Sequence, residues 1–456
     1  METIVIGGGA TGLATAYFLA RDGVDVTVVE AAPQPGGLLS TFDVGSGDRL
    51  EYFYHHFFTH DEEIRWLLDE LDLTDRVLFE PTTMGMYRDG TAHPFDGPAD
   101  VLRFSAISVP ARLRFGLSAA LLTYVPGYEA EEEQAALPWF YRWAGDEATE
   151  AIWRPMLEIK FGDAAPQVPL SWMVGRLRQR ARSREGTTEK LGYLRGSLQV
   201  LVDALIDALE DQGVEIRVET PVESFKTDGS RVTGVQTPDA TLSADAVVST
   251  LPTPILSTLI RDHDSAFADQ LDSIDYMGAI CTILAFDRSI SPVYWLNVAD
   301  PGYDFGGVIE QTHLVPPSHY DGMHLVYLSR YVHWDHPLWT MNDEELLDRQ
   351  VSQLTRLLPA VNDAEILQSW VFRGQYAAPV TDLGFYQRIP SFDTPVDGLY
   401  MASMPHIYPD ERSTNNSIRI AAAVVEEMGR DVNDVPEGTS LAATYGYRPP
   451  DTRSPR

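Results

Sequence analysis

The first thirty residues leave this chain little choice of architecture. ETIVI at residues 2–6 is a short buried strand pattern, residues 11–22 read as a helix with small residues at Ala14 and Ala16, and DVTVVE at 25–30 is a second strand. Gly7, Gly9 and Gly12 stand between strand and helix. A βαβ unit with G-x-G-x-x-G at its first turn and an acid closing its second strand is the fingerprint of a dinucleotide-binding domain. Gly7 permits the tight turn, Gly9 lets a pyrophosphate approach the backbone, and Gly12 lets helix and strand pack closely. Ala10 and Thr11 lie at the helix start, where free N–H groups and the helix dipole favour phosphate. Glu30 is placed to accept hydrogen bonds from a ribose. The unit by itself does not separate NAD from FAD.

A length of 456 residues predicts two domains. The single cysteine, Cys281, excludes a disulfide framework, a thiolate metal cluster and the paired thiols of a flavin disulfide reductase. His55, His56 and His60 cluster without a carboxylate–histidine helical motif, so no metal is expected. The formal net charge of −33 repels nucleic acid and anionic membranes. With lysine only at 160, 190 and 226, that charge resembles the proteome of salt-in halophiles. The N-terminus enters a strand with no basic n-region, which predicts a cytoplasmic protein. The most apolar stretch, VLRFSAISVPARLRFGLSAALLTYVPGY, is broken by Arg103, Arg112, Arg114 and two prolines. It reads as buried helices, or as an apolar lip that admits a greasy substrate or makes peripheral membrane contact.

The residues after Glu30, AAPQPGGLLST with Gly36 and Gly37, resemble the second half of the FAD signature of the flavin-containing amine oxidase superfamily. That group includes protoporphyrinogen oxidase and phytoene desaturase, with UDP-galactopyranose mutase a more distant relative. Leu38 stands where members usually carry a basic residue. KLGYLRGSLQVLVDALIDALEDQGVEIRVETPVESF fits the same family, in which a strand ending near Val222 would flank the adenine. ADAVVSTLPTPIL ends a buried strand at Thr250 and Pro252, and GLYMASMPHIYPDERSTNNSIRIAAAVVEEM resembles the C-terminal flavin motif. Ser403 and Met404 replace the Gly-Asp that many members have there. EYFYHHFFTHD, WRPMLEIKFG and YPDERSTNN resemble segments of protoporphyrinogen-oxidase-like oxidoreductases. The resemblance spans roughly residues 1–430. No second G-x-G-x-x-G follows a strand, so a nicotinamide domain is not expected.

The implied fold class is α/β: a discontinuous Rossmann-type FAD-binding domain with a second α+β substrate domain of antiparallel sheet and helices. The first is assigned 1–60, 188–255 and 385–435, the second 61–187 and 256–384, with a loose tail at 436–456. A hairpin, MYRDGTAHPF, turns at Asp89–Gly90. Strands at MGAICTILAF, GGVIEQTHL, MHLVYLSRYV and ILQSWVFRG, with a helix at DEELLDRQVSQLTRLL, suggest an antiparallel sheet roofing the flavin.

His55 and His56 are candidate proton carriers beside the flavin, with Tyr54 and Phe57 packing on its ring. In an extended segment at most one histidine would face the reacting atoms. His60 reads as the cap of the helix at DEEIRWLL. Ser413, Thr414, Asn415, Asn416 and Ser417 sit at a helix start that the resemblance aims at the flavin pyrimidine edge. There the dipole and Arg412 or Arg419 would stabilise a reduced flavin. Lys160 reads either as a contact to substrate or flavin or as a paired helix-end lysine. Arg176, Arg180 and Arg184 share a helical face that would bind a phosphorylated or carboxylated substrate, or bridge to acids. Arg373, Tyr376 and Tyr386 are expected as pocket walls. The leading expectation is an FAD-dependent oxidoreductase passing a hydride from an organic small molecule to flavin N5. The alternatives are a non-redox flavoenzyme acting on a nucleotide-sugar and a flavin-binding scaffold.

Overall fold

The computed structural model describes residues 1–436 apart from 46, 129–130, 186–187 and 433; the tail expected at 436–456 lies outside the described residues from 437 on. Five parallel strands form one sheet, in the order Glu215–Arg217, Asp25–Val29, Glu2–Ile6, Ala246–Ser249, Leu399–Met401. Such strands bury both faces and so read as apolar runs rather than alternating ones, as IVI and AVV do. The register pairs Ile6 with both Val29 and Ser249, Val29 with Arg217, and Ser249 with Met401. The carboxyl ends are therefore level, which is where open parallel sheets bind ligands. Helix Ala10–Arg21 follows the first strand and packs against helices Gln199–Asp211 and Thr414–Glu427.

Seven strands make the second sheet, in the order Ile366–Pro379, Tyr276–Phe286, His324–Val332, Gly307–Glu310, Trp295–Val298, Met84–Arg88, Thr91–Pro94. Tyr276–Phe286 is buried at every position and lies inside the sheet. The sheet is not wholly antiparallel as expected, because Trp295–Val298 runs parallel to Met84–Arg88. The hairpin at 84–94 comes from an earlier part of the chain and joins the edge in the same direction. A run of helices lies between residues 98 and 182, where a π-helical turn, Thr149–Trp153, runs directly into helix Arg154–Phe161. Helix Val109–Tyr124 buries Phe115 and Leu122 yet exposes Val109, Leu113, Leu117 and Tyr124, at 59%, 59%, 61% and 77%. Among the described residues no helix is long and apolar enough to cross a membrane.

Two local expectations change. The strand expected to end near Val222 ends at Arg217, and Val222 packs instead beside the cluster containing Phe225. His60 does not cap helix Glu62–Glu70: Asp61 is the N-cap, and the His60 ring stacks on Phe58.

Glu51 ties the layers together. It is fully buried; its carboxylate accepts from Tyr193 Oη at 2.6 Å and Leu198 N at 2.7 Å, while its carbonyl accepts from Tyr327 Oη at 2.8 Å. Tyr327 belongs to the seven-stranded sheet and Tyr193 to strand Thr188–Leu194, so one residue joins both. Burial pushes the Glu51 carboxyl up to about 7, against the opposing Tyr193 and Leu198 bonds. The folded protein thus keeps a proton that the unfolded chain loses near pH 4.5, and stability falls as pH rises through that window. Glu51→Gln lacks this titration. Its unfolding free energy relative to wild type should rise by about 1–3 kcal/mol between pH 5 and 8 in urea melts. A difference that stays constant with pH would refute the assignment.

Candidate active site

The glycine turn makes the first wall. Gly7 has φ +105°, a conformation open to glycine, and its N–H donates to Val29 O at 2.8 Å. A Cβ on Gly12 would overlap the Gly7 carbonyl oxygen, so only glycine lets the helix start this close to the strand. At Gly9 a Cβ would meet only the Gly37 Cα, at 3.8 Å, leaving a cleft between two glycine loops. Those loops are tied by Gly36 N donating to Gly8 O at 2.8 Å. Gly9 is the N-cap of helix Ala10–Arg21 and no side chain caps it, so the first-turn N–H groups are left for an anion. Glu30 accepts from Gly8 N at 2.6 Å and Ala32 N at 2.8 Å, which fixes its carboxylate at the cavity edge. This donor set fits a dinucleotide pyrophosphate and ribose.

From that turn a cavity of about 540 Å³ runs to the underside of the seven-stranded sheet. It is lined by Gly7, Gly9, Ala10, Thr11, Gly12, Glu30, Gly36, Gly37, Leu38 and Thr250 at one end. Tyr54, His55, His56, Lys160, Arg176, Tyr376 and Arg412 line it elsewhere, as do Ser413, Thr414 and Ser417. The helix start Thr414–Glu427 faces it, with Ser413 accepting from Asn416 N at 3.1 Å as N-cap.

Two features set the chemistry. His55 Nδ1 lies 2.6 Å from the Phe53 carbonyl oxygen. A carbonyl only accepts, so Nδ1 carries the proton and Nε2 the lone pair. Burial, with Arg412 nearby, pushes His55 down to about 4, so it stays neutral. His56 is also lowered, by burial and by Arg180 and Arg176, and its Nδ1 lies 3.4 Å from Tyr294 Oη. The second feature is a charge cluster. Lys160 bonds to Glu411, whose other oxygen lies 3.7 Å from Arg176, and Arg412 donates to Tyr331 Oη. Burial pushes Lys160 down to about 8 against the attraction of Glu411. Burial also opposes ionisation of Glu411, but Lys160, Arg176 and Arg412 together overcome it and hold that carboxyl at about 2. Trp172, Trp295 and Tyr331 complete the walls, with Tyr54 edge-on to Trp295 at 4.8 Å.

Several expected contacts fall elsewhere. Asn415 turns toward helix Glu62–Glu70, accepting from Ile64 N at 2.9 Å and donating to Glu63 at 2.8 Å. Asn416 donates to Glu411 O at 2.6 Å, fixing that loop without lining the cavity. Arg180 is paired with buried Glu189 at 2.8 Å, and Arg373 with Asp343 at 2.5 Å; neither lines the cavity. Val222 and Phe57 do not line it either. Tyr386 donates to Glu133 at 3.2 Å and Arg419 pairs with Asp410 at 2.6 Å. Both histidines line the cavity, not one as expected; residues 54–56 lie between strands Arg49–Glu51 and Phe57–Phe58 and pair in neither, so strand alternation does not hold there. Lys160 joins its two readings: it is paired, and it lines the cavity. Glu411 and Tyr331 were missed; the acid beside Arg412 at a helix start was the available signal.

The sequence profile of the family described as flavin containing amine oxidoreductase matches residues 10–409. The 15-cis-phytoene desaturase of Arabidopsis thaliana is 21% identical over 88% of this chain and 75% of its own length. An oxidoreductase from Methanosarcina mazei superposes with TM-score 0.71 at 21% identity, over 93% of this chain and all of its own. Reduced UDP-galactopyranose mutase superposes with TM-score 0.72 at 15% identity over 94% of each chain. That last likeness is one of fold, and the mutase expectation is not favoured. The chain belongs to the flavin containing amine oxidoreductase family and is an FAD-dependent oxidoreductase.

Proposed function

We propose that this one cavity oxidises an organic small molecule by removing a hydride and a proton from it. The observation that carries the reading is a single continuous space: the glycine cradle and the His55, Lys160, Arg412 cluster line the same walls. The Ala10–Gly12 turn would hold the FAD pyrophosphate, Glu30 the ribose, and Arg412 with the Ser413 helix start the negative end of a reduced flavin. When bound, FAD supplies the hydride acceptor, at its N5. The chain's own groups do the rest. The aromatic walls exclude water and hold the substrate in place. His55 Nε2 takes the proton, since the Phe53 bond leaves the lone pair on that atom and the low value of about 4 leaves it unprotonated at neutral pH.

The first test is reduction of the bound flavin by candidate substrates under nitrogen, followed by recovery with an acceptor. A protein that binds FAD but whose flavin no organic donor bleaches would refute the reading. Two variants separate cradle from scaffold. Gly9→Val has room to fold but fills the cleft, and should weaken FAD at least about tenfold, ~1.4 kcal/mol. Gly12→Val should fail to fold, as read by circular dichroism.

His55→Asn should slow flavin reduction by about 10²–10⁴. Protonation below pH 4 removes the lone pair in wild type, so the rate should fall as pH drops through about 4. That acidic limb should vanish in the variant. An unchanged pH profile would move the proton to another group.

The exposed row Val109, Leu113, Leu117 and Tyr124 supports a peripheral contact with an apolar surface, as a lip for substrate entry. Neutral phospholipid vesicles should co-sediment the wild type in molar salt and not Leu113→Asp/Leu117→Asp.

A further inference from the structure

We propose that the cavity takes a substrate bearing an acidic group, carboxylate or phosphate, on an apolar body, and that Arg176 holds that group. The inference rests on the oxidoreductase reading above and adds to it what the substrate carries.

Charge in the reaction chamber is the first argument. Away from the glycine turn the lining holds three cations, Lys160, Arg176 and Arg412, and one carboxylate, Glu411. Both histidines are held neutral by burial and neighbouring arginines. In a chain of net charge −33 this is a concentration of the rarer sign. Enclosed uncompensated charge is costly, and an entering anion offsets it where an ammonium would add to it.

Partner satisfaction is the second. Lys160 already bonds Glu411, and Arg412 already bonds Tyr331. Arg180, one turn on, is neutralised by Glu189. Arg412 Nε is left without a partner but is buried, whereas Arg176 is more open and makes only long contacts. Its guanidinium has five N–H donors, yet its nearest acceptors are Gln179 Oε1 at 3.5 Å and Glu411 Oε2 at 3.7 Å. It projects from helix Leu170–Arg182 into the cavity, on the same helix as Trp172 and Met173, which also line it. A planar fork at hydrogen-bonding range of nothing better is suited to a carboxylate or phosphate. Met156, Leu157, Met173 and Trp172 would enclose the apolar body.

The test is calorimetry on the FAD-loaded protein at fixed ionic strength, with hexanoate, hexyl phosphate and hexylamine, which share one tail. At least one anion should bind tenfold or more tightly than the amine. The tighter of the two anions names the group. Arg176→Gln should lose tenfold or more of that affinity while keeping its flavin and melting temperature, and Arg176→Lys should recover part of it. An amine that binds as well as the anions overturns the proposal. So does Arg176→Gln that binds hexanoate like wild type, or that purifies without FAD, which would give the guanidinium to the cofactor. Anion binding through Arg176 in a protein whose flavin no acid ever bleaches would leave this site standing and sink the oxidoreductase reading instead.

Discussion

Everything in this molecule hangs on one close approach, that of Gly12 to the Gly7 carbonyl. No side chain fits there, so the helix begins against the strand end and its uncapped N–H groups open onto the level edge of the parallel sheet. The next residues after the other strands, Glu30, Thr250 and Ala402–Ser403, arrive at the same edge because the register brings them there. This end of the cavity is thus set by strand ends and by the glycine loops tied to them.

The roof supplies what the floor lacks. The seven-stranded sheet and the helices between residues 98 and 182 bring aromatic rings and cations into the cavity. Glu411 lies at the centre of that chemistry. A lone carboxylate there would be protonated by burial; three surrounding cations keep it charged, and in turn it keeps Lys160 from losing its proton more readily. The cluster is a buried network in which each charge fixes the state of the next.

The floor was legible in the sequence because glycine spacing and strand periodicity are local signals. Gly7, Gly9, Gly12 and Glu30 lie within one βαβ unit, and helix and strands there fall within a residue of their expected bounds. The roof was less legible, because its contacts join residues far apart in the chain. Arg176 and Arg180 are identical by pattern, yet Glu189, nine residues on, takes Arg180, while Arg176 lines the cavity beside Glu411, which lies far along the chain. Asn415 looked like a cofactor ligand at a helix start until Glu63, some 350 residues away, took its amide. His55 and His56 defied alternation because they lie in an unpaired link between two short strands, and nothing in EYFYHHFF announces where the pairing stops.

The interleaving of segments has a consequence for how the molecule is made. The first helix, Ala10–Arg21, buries its apolar side against Thr414–Glu427, and the sheet beneath it is closed by Leu399–Met401. During synthesis the opening βαβ unit therefore emerges with its mates still unmade; helix Gln199–Asp211 and strands Glu215–Arg217 and Ala246–Ser249 arrive by mid-chain, and its cover is complete only with Leu399–Met401 and Thr414–Glu427. Contacts of such long range fold slowly and leave apolar surface exposed meanwhile. The nascent protein must be sheltered or kept soluble over that interval, and a chain of high negative charge supplies part of that shelter by self-repulsion between copies.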